Sequence, residues 1–398
     1  MDYRVVKKCR ICKSSRLKKY LDLGSQPVPN KLENPAKCYP LQVLYCQDCS
    51  LSQLSIVVKP EIMYMDYPYH SSVSKTFQKH CYELAIKLKK FKTKNNPPSC
   101  MDIASNDGCL MEQFRKVGFI VRGYEPCKEL ARIANDKMLL TINRFFSLES
   151  SKDTRCWSGE DFITATNVFA HVDDIHDFLE ACKIQMEANR RGIVVVEVPY
   201  LQNLIHGNQF DTIYHEHLSY FLLKPLVRLF KECGVPIFKV ERIPIHGGSI
   251  RIYASMHNYK VSDSIRNMLE DERIKGFYRF DTYKKFKDKV ENVKKCFKFL
   301  LEHSSLMGHS VAGYGASAKG ISLLNYCGIN QHELRYIVDD TIAKQGKFTP
   351  GSEIPILSKF FKPDYIVLLA WNFADELMEK TKHLGAKYVI PIPNVRVI

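Results

Sequence analysis

No apolar run in this 398-residue chain approaches the ~20 residues that a membrane-spanning helix needs. The first thirty residues, MDYRVVKKCRICKSSRLKKYLDLGSQPVPN, hold cysteines and charges where a signal peptide would have an apolar stretch. A cytoplasmic location, with no membrane partner, is therefore expected. Low-complexity tracts and repeats of fixed period are missing too, so a repeat architecture is not expected. Three short motifs are also absent as complete patterns: the HExxH of helical zinc proteases, the full Walker loop, and the GxGxxG of dinucleotide binders. Hydrophobic residues make up 45% of the chain and aromatics 11%, which excludes wholesale disorder. The length suits two or three domains.

The chain carries 58 Lys+Arg against 43 Asp+Glu, a net charge of +15. Nucleic acid, an anionic surface and small anionic ligands would all suit that balance. The two densest basic stretches are Lys87–Lys94 and Tyr283–Lys298, and the second interleaves apolar residues at helical spacing. A solvated helix face explains it, and no nucleic-acid partner is expected.

Fourteen cysteines in a chain of this kind point to thiols or metal ligands rather than to disulfides. Four of them form two CxxC pairs, Cys9/Cys12 and Cys46/Cys49, separated by 33 residues. Two tight turns of this kind aim four sulfurs at one ion, the tetrahedral set that favours Zn2+. A closed four-sulfur site leaves no position for water, so the metal's role is structural. The other ten are read as small buried residues.

From Ser99 the texture becomes short apolar runs alternating with amphipathic stretches, after Pro97-Pro98, which reads as a linker or a loop entering a strand. SCMDIASNDG, FIVRGYEP, DFITATNVF and GIVVVEVP are strands of a mostly parallel sheet with helices on both faces. A helical connection over roughly 262–306 leads to a second α/β unit. The expected division is an N-terminal zinc domain over 1–85, a Rossmann-like domain over 86–262 and a second Rossmann-like domain over 263–398.

The first strand ends in Asp102-Ile103-Ala104-Ser105-Asn106-Asp107-Gly108, a turn whose amides could meet a ligand carboxylate or phosphate. The next strand ends at Glu125, placed to bind a ribose diol. One glycine fits a dinucleotide pyrophosphate poorly, and the pattern suits S-adenosylmethionine better. Asn167 and His171 leave the fourth strand, where this architecture faces its ligand. Tyr214-His215-Glu216-His217 gathers polar groups that are costly to bury without use. In extended chain Tyr214 and Glu216 would share one face and the histidines the other. A metal site is one reading of the segment; general acid–base work beside a methyl donor is the stronger one. Gly313-Tyr314-Gly315-Ala316-Ser317-Ala318-Lys319-Gly320 follows a later strand, and its amides with Ser317 and Lys319 could hold a diphosphate. Packing of the glycines is the equal alternative.

Taken together, the paired CxxC, DLGSQPVPN, DYPYHSSVS, DIASNDG, GYEP, NVFAHV, FDTIYHEHLSYF, HGGSIRIY and GYGASAKG resemble the sugar C-methyltransferase family along essentially the whole chain. The resemblance implies an α/β protein of three domains: a zinc-binding domain on Cys9, Cys12, Cys46 and Cys49, a class I methyltransferase domain, and a C-terminal domain that helps hold a nucleotide sugar. It implies S-adenosylmethionine at Asp102, Ala104, Ser105, Asn106, Gly108, Glu125 and Asn167. The implied reaction deprotonates a dTDP-linked 4-ketosugar beside its carbonyl, usually at C3, and the enolate takes up the methyl group. His217 is then the leading base, Tyr214 and Glu216 orient it or the enolate, and His171 lies near the sugar. Of the tyrosines in DYPYHSS, Tyr69 is assigned to the chemistry and Tyr67 to the substrate, although the pattern itself does not separate them. Gly248, Ser249, Gly315, Ala316, Ser317 and Lys319 complete the implied substrate contacts. A monomer is expected.

Two departures stand out: Asp102-Ile103-Ala104 where many relatives carry Glu-Ile-Gly or similar, and His246 where asparagine is commoner. Two rival functions remain at this stage. One is an O- or N-methyltransferase of the same fold, and the other a zinc-containing nucleic-acid-binding or scaffold protein with an inactive core.

Overall fold

A computed structural model describes residues 2–398 apart from 33–34, 66, 68, 93–96, 155–158 and the side chain of His246. The centre is a seven-stranded sheet of β1 (Ser99–Ile103), β2 (Ile120–Tyr124), β3 (Thr141–Ile142), β4 (Phe162–Thr166), β5 (Ile193–Pro199), β6 (Ile237–Ile243) and β7 (Ser249–Ala254). Their spatial order is β3-β2-β1-β4-β5-β7-β6. The first five are parallel, and β7 runs antiparallel to both of its neighbours. In β5 the run from Ile193 to Val198, five β-branched residues around the paired Glu197, is buried throughout, as a strand between two helical layers requires. The order reverses beside β1, so the loops leaving β1 and β4 open onto one crevice.

Helix Lys75–Lys89 runs across the expected boundary at residue 85. It packs Cys81, Leu84, Ala85 and Leu88 against Cys100, Phe114 and Phe162 of the central unit. Ser74 caps it, its hydroxyl accepting from the Phe77 amide.

The N-terminal unit is an antiparallel sheet of Leu17–Pro27, Cys38–Cys46 and Ser52–Leu54, completed by Ser219–Tyr220 from the central unit. That fourth strand begins two residues after His217, so the polar segment is anchored on the zinc-binding sheet. The C-terminal unit is a six-stranded sheet, parallel except for its last pair. Helices Asp263–Ile274 and Phe280–Leu306 connect it. The second carries the basic stretch and buries Tyr283, Phe286, Val290, Val293, Phe297 and Leu301 along one stripe, as its spacing implies.

Seven of the ten scattered cysteines are buried, but Cys38 and Cys296 are exposed, and Cys156 lies outside the described residues. Those two sit at a strand start and on the solvent face of the long helix, where small size confers no packing advantage. Among the described residues no helix is long and apolar enough to cross a membrane.

Candidate active site and metal centre

Cys9, Cys12, Cys46 and Cys49 bring their sulfurs within 4.8 Å of one another. The Cys9–Cys49 and Cys12–Cys46 separations are both 3.5 Å. Sulfurs at ~2.3 Å from a tetrahedral zinc stand a little under 4 Å apart, so the four thiols fit the ion. Among the described residues this is the one His/Cys/Asp/Glu cluster of that kind, and the His215-Glu216-His217 segment forms none.

The loop after β1 is held in an unusual shape. Ala104 has φ 54 and Asn106 φ 53, with Gly108 at φ 82. A left-handed alanine costs ~1–2 kcal/mol, a strain that glycine at this position would not carry. At Gly108 an added Cβ would lie 2.5 Å from Leu139 Cδ1, so Leu139 would have to move, and the positive φ disfavours any side chain there. Glu125 spans the loop: its two carboxylate oxygens accept from the Asn106 and Cys127 amides, both at 2.8 Å. Asp102 is buried, accepts from the Thr164 hydroxyl at 2.8 Å, and is pushed up to about 7 by burial. Asn167, at φ 60, closes the crevice from β4. The side-chain oxygens of Ser105 (Oγ), Asp107 (Oδ1) and Asn167 (Oδ1) are buried without a hydrogen-bond partner. Such polar atoms around one crevice are what a polar ligand would satisfy, and they fit an adenosyl amino acid.

The Tyr69–Ser72 stretch lies across this loop. Asn106 accepts from the Ser71 amide at 2.9 Å and donates to the Tyr69 carbonyl at 3.0 Å, while Asp107 accepts from the Ser72 amide. Tyr69 is 46% exposed, whereas the Tyr67 hydroxyl donates to Glu216 Oε2 at 3.1 Å. Tyr67 is thus the one hydrogen-bonded to the polar cluster.

The Tyr214–His217 segment is not extended. The His217 amide donates to the Tyr214 carbonyl at 3.0 Å, closing a turn that replaces the alternation expected of a strand. The turn brings the Tyr214 and His217 rings to 4.2 Å between centroids and sends His215 the other way, toward the Pro40 carbonyl. His171 lies 5.0 Å from His217, and Tyr64 stacks on His171 at 5.9 Å. His217 Nδ1 is 2.7 Å from the Thr212 carbonyl, which can only accept, so Nδ1 carries a proton and, in the neutral imidazole, the lone pair is on Nε2. Burial drives His171 down to about 4, keeping it neutral, and holds the Tyr214 phenol well above its usual range.

Glu216 is buried and receives Asn30 Nδ2 at 2.6 Å as well as Tyr67. Desolvation lifts it to about 7, against those two hydrogen bonds. Between about pH 4.5 and 7 the folded chain therefore holds a proton that the unfolded chain releases, and stability falls as pH rises through that window. Glu216→Gln should remove this decline. Calorimetric melting at pH 5 and pH 8 should show the variant gaining on wild type at the higher pH; parallel curves would refute it.

Lys319 meets the central unit at the seam with the C-terminal unit. Its Nζ is buried without a hydrogen-bond partner, 5.5 Å above the Trp371 ring, and Trp371 Nε1 donates to Asp211 Oδ2 at 2.6 Å. The glycine-rich turn itself is mostly committed. The Gly315 and Ala316 amides donate to Val338 and Asp339, and Ser317 accepts from Gly320. Gly313 and Gly320 pack against Leu369, where a Cβ would clash. Packing explains these glycines, and Lys319 is what remains for an anion. Gly248 sits at φ 105 with the Asn203 amide where a Cβ would go, and Ser249 is buried on the Ile245 carbonyl.

Asn30 and Tyr64 were not identified from sequence. Both lie in the N-terminal unit, more than 150 residues before Glu216, and neither has a motif of its own. Asn30 closes DLGSQPVPN, a segment whose conspicuous prolines read simply as a loop.

Comparison with known proteins finds three family profiles in sequence order: a zinc binding domain over residues 9–64, a methyltransferase domain over 77–239, and a C-methyltransferase C-terminal domain over 244–393. The C-methyltransferase NovU of Streptomyces niveus is 34% identical over 411 residues, covering 99% of this chain and 97% of that protein. Among solved structures, magnesium protoporphyrin IX methyltransferase of Synechocystis PCC 6803 with bound SAM overlaps 45% of this chain and 79% of that chain at 11% identity and TM-score 0.34. A SAM-dependent methyltransferase of Archaeoglobus fulgidus overlaps 44% and 94% at 13% identity and TM-score 0.35. On the full-length relative and the ordered profiles, the chain belongs to the C-methyltransferase family, as an S-adenosylmethionine-dependent enzyme with a zinc-binding N-terminal domain.

Proposed function

We propose that this enzyme methylates a carbon of a nucleotide-linked 4-keto-deoxysugar, with dTDP as the nucleotide and C3 as the carbon, after His217 removes the proton beside the ketone. The observation that carries the reading is the Tyr214–His217–His171 ring cluster, with His217 Nδ1 held on the Thr212 carbonyl. A carbon acid needs such a base together with a donor to the enolate oxygen, whereas methylation at oxygen or nitrogen forms no enolate.

In this reading residues 1–85 carry the structural zinc, 86–262 hold the donor and 263–398 complete the sugar-nucleotide site. Asp102, Ala104, Ser105, Asn106, Gly108, Glu125 and Asn167 shape the donor crevice, with Glu125 offering its remaining lone pairs to the ribose. When bound, S-adenosylmethionine supplies the electrophilic methyl group. Lys319 faces the diphosphate, since a buried cation lacking a hydrogen-bond partner favours an anion, and the Gly315, Ala316 and Ser317 turn, its first two amides committed to Val338 and Asp339, shapes the wall beside it. Tyr67, Gly248 and Ser249 border the sugar. Tyr214, held as a phenol, donates to the developing enolate oxygen while His217 Nε2 takes the α-proton. Glu216 keeps the turn in place through Asn30 and Tyr67, and Tyr69 covers the donor loop.

The test is incubation with S-adenosylmethionine and a panel of nucleotide 4-ketosugars, with NMR locating the new methyl group. A new C–CH3 on a ketosugar is expected; transfer solely to oxygen or nitrogen would overturn the reading. Glu125→Ala should weaken donor binding by ~1.5–3 kcal/mol in calorimetry, because it removes charge-assisted acceptors and unties the Asn106 loop. Unchanged affinity would remove Glu125 from the donor site.

A further inference from the structure

We propose that Arg10 is a positioning residue that sets the distance between His171 and His217, so that the zinc knuckle determines active-site geometry as well as folding. The proposal rests on the reading of His217 as the base.

Arg10 lies between the zinc ligands Cys9 and Cys12 and is 5% exposed. Its Nε donates to Asp173 Oδ1 at 3.2 Å, and its Nη1 donates to the Leu218 carbonyl at 3.0 Å. Asp173 is two residues beyond His171, and Leu218 follows His217 directly. One guanidinium therefore bridges the two backbone segments that carry the paired imidazoles.

The surrounding bonds make the bridge stiff. The Leu218 amide donates to the Ala170 carbonyl at 2.8 Å, so the two segments are also joined to each other. The Leu218 carbonyl accepts from the Leu54 amide at 3.0 Å, and the Arg10 amide donates to Gln53 Oε1 at 2.9 Å. His176 Nε2 reaches the Ile11 carbonyl at 2.8 Å, seating the knuckle on the helix that follows Asp173. Arg4 pairs with Asp173 from the solvent side.

Stability alone accounts poorly for this arrangement. Burying a guanidinium costs free energy that an apolar residue would not, and Arg10 Nη2 stays buried without a hydrogen-bond partner. The planar fork instead specifies direction: two donors in fixed relation meet a carboxylate and a carbonyl on different segments. Displacing one imidazole by ~1 Å can cost about a hundredfold in rate.

The experiment compares full-length Arg10→Met, Arg10→Lys and the milder Asp173→Asn with wild type. Zinc content, donor affinity, kcat, KM and donor-free exchange of the sugar α-proton into deuterated water are measured, together with the imidazole nitrogen NMR signals. Arg10→Met is expected to keep one zinc and its donor affinity, lose kcat and exchange together by ~10–100-fold with little change in KM, and shift the His171 and His217 signals. Arg10→Lys should restore only part of the rate, because a point charge cannot meet both acceptors, and Asp173→Asn should show a smaller loss of the same kind. Unchanged kcat and imidazole signals in zinc-loaded Arg10→Met would overturn the proposal. Loss of zinc or donor binding in proportion to rate, in Asp173→Asn as well, would overturn it in favour of a folding role. If His217→Ala exchanged like wild type, the base assignment would fall, while the imidazole signals would still decide whether Arg10 sets the geometry.

Discussion

His217→Ala is expected to lower kcat by ~10²–10⁴-fold while donor and sugar still bind. The proton beside a ketone is far less acidic than an imidazolium, so its removal needs a placed base and a stabilised enolate oxygen together. The Thr212 carbonyl fixes the tautomer, the turn fixes the ring against Tyr214, and the neutral His171 adds no competing positive charge. Alanine removes the proposed base and leaves the loop after β1 untouched. With donor absent, wild type should exchange the sugar's α-proton with deuterated solvent and the variant should exchange far more slowly. Equal rates would pass the role to His171 or Tyr214. Normal exchange without methylation would place His217 on the methyl-transfer step instead.

What could be read from the chain divides along physical lines. The knuckle was legible because CxxC spacing by itself constrains where four sulfurs go. The central sheet was legible because β-branched runs bounded by turn residues have few folds open to them, and the Asp102–Gly108 turn with Glu125 one strand later follows from that topology. The inside of the polar segment was not. Period-2 reasoning presumes a strand, and the His217-to-Tyr214 backbone bond makes a turn that reassigns every side chain in it. Asn30, Tyr64 and Arg10 were beyond reach for another reason. Their partners are fixed by how the N-terminal sheet takes Ser219–Tyr220 as its fourth strand, a long-range pairing of two residues with no local signature. The same limit applies at the second glycine turn, where spacing could not separate a phosphate cradle from close packing on Leu369.

That shared strand also governs what metal removal should do. Thiolate binding of zinc in small knuckles is worth ~10–16 kcal/mol of apparent free energy at neutral pH, more than the N-terminal unit can recover from its own apolar core. Chelation should first release one zinc per chain and strip hydrogen-exchange protection from residues 2–58, with the central sheet still protected. Turnover should follow, because Asn30, Tyr64 and Tyr67 approach the Glu216 turn from the N-terminal side. Donor affinity should fall less than kcat, since the loop after β1 is built on the central sheet and tied by Glu125 from the same sheet. Zinc release read by a colorimetric indicator, exchange read by mass spectrometry and single-turnover rates taken on the same samples give the order of events. Full protection of residues 2–58 after stoichiometric zinc loss would show that the four cysteines are not the domain's structural support. Loss of turnover before zinc leaves would place the chelator's effect elsewhere.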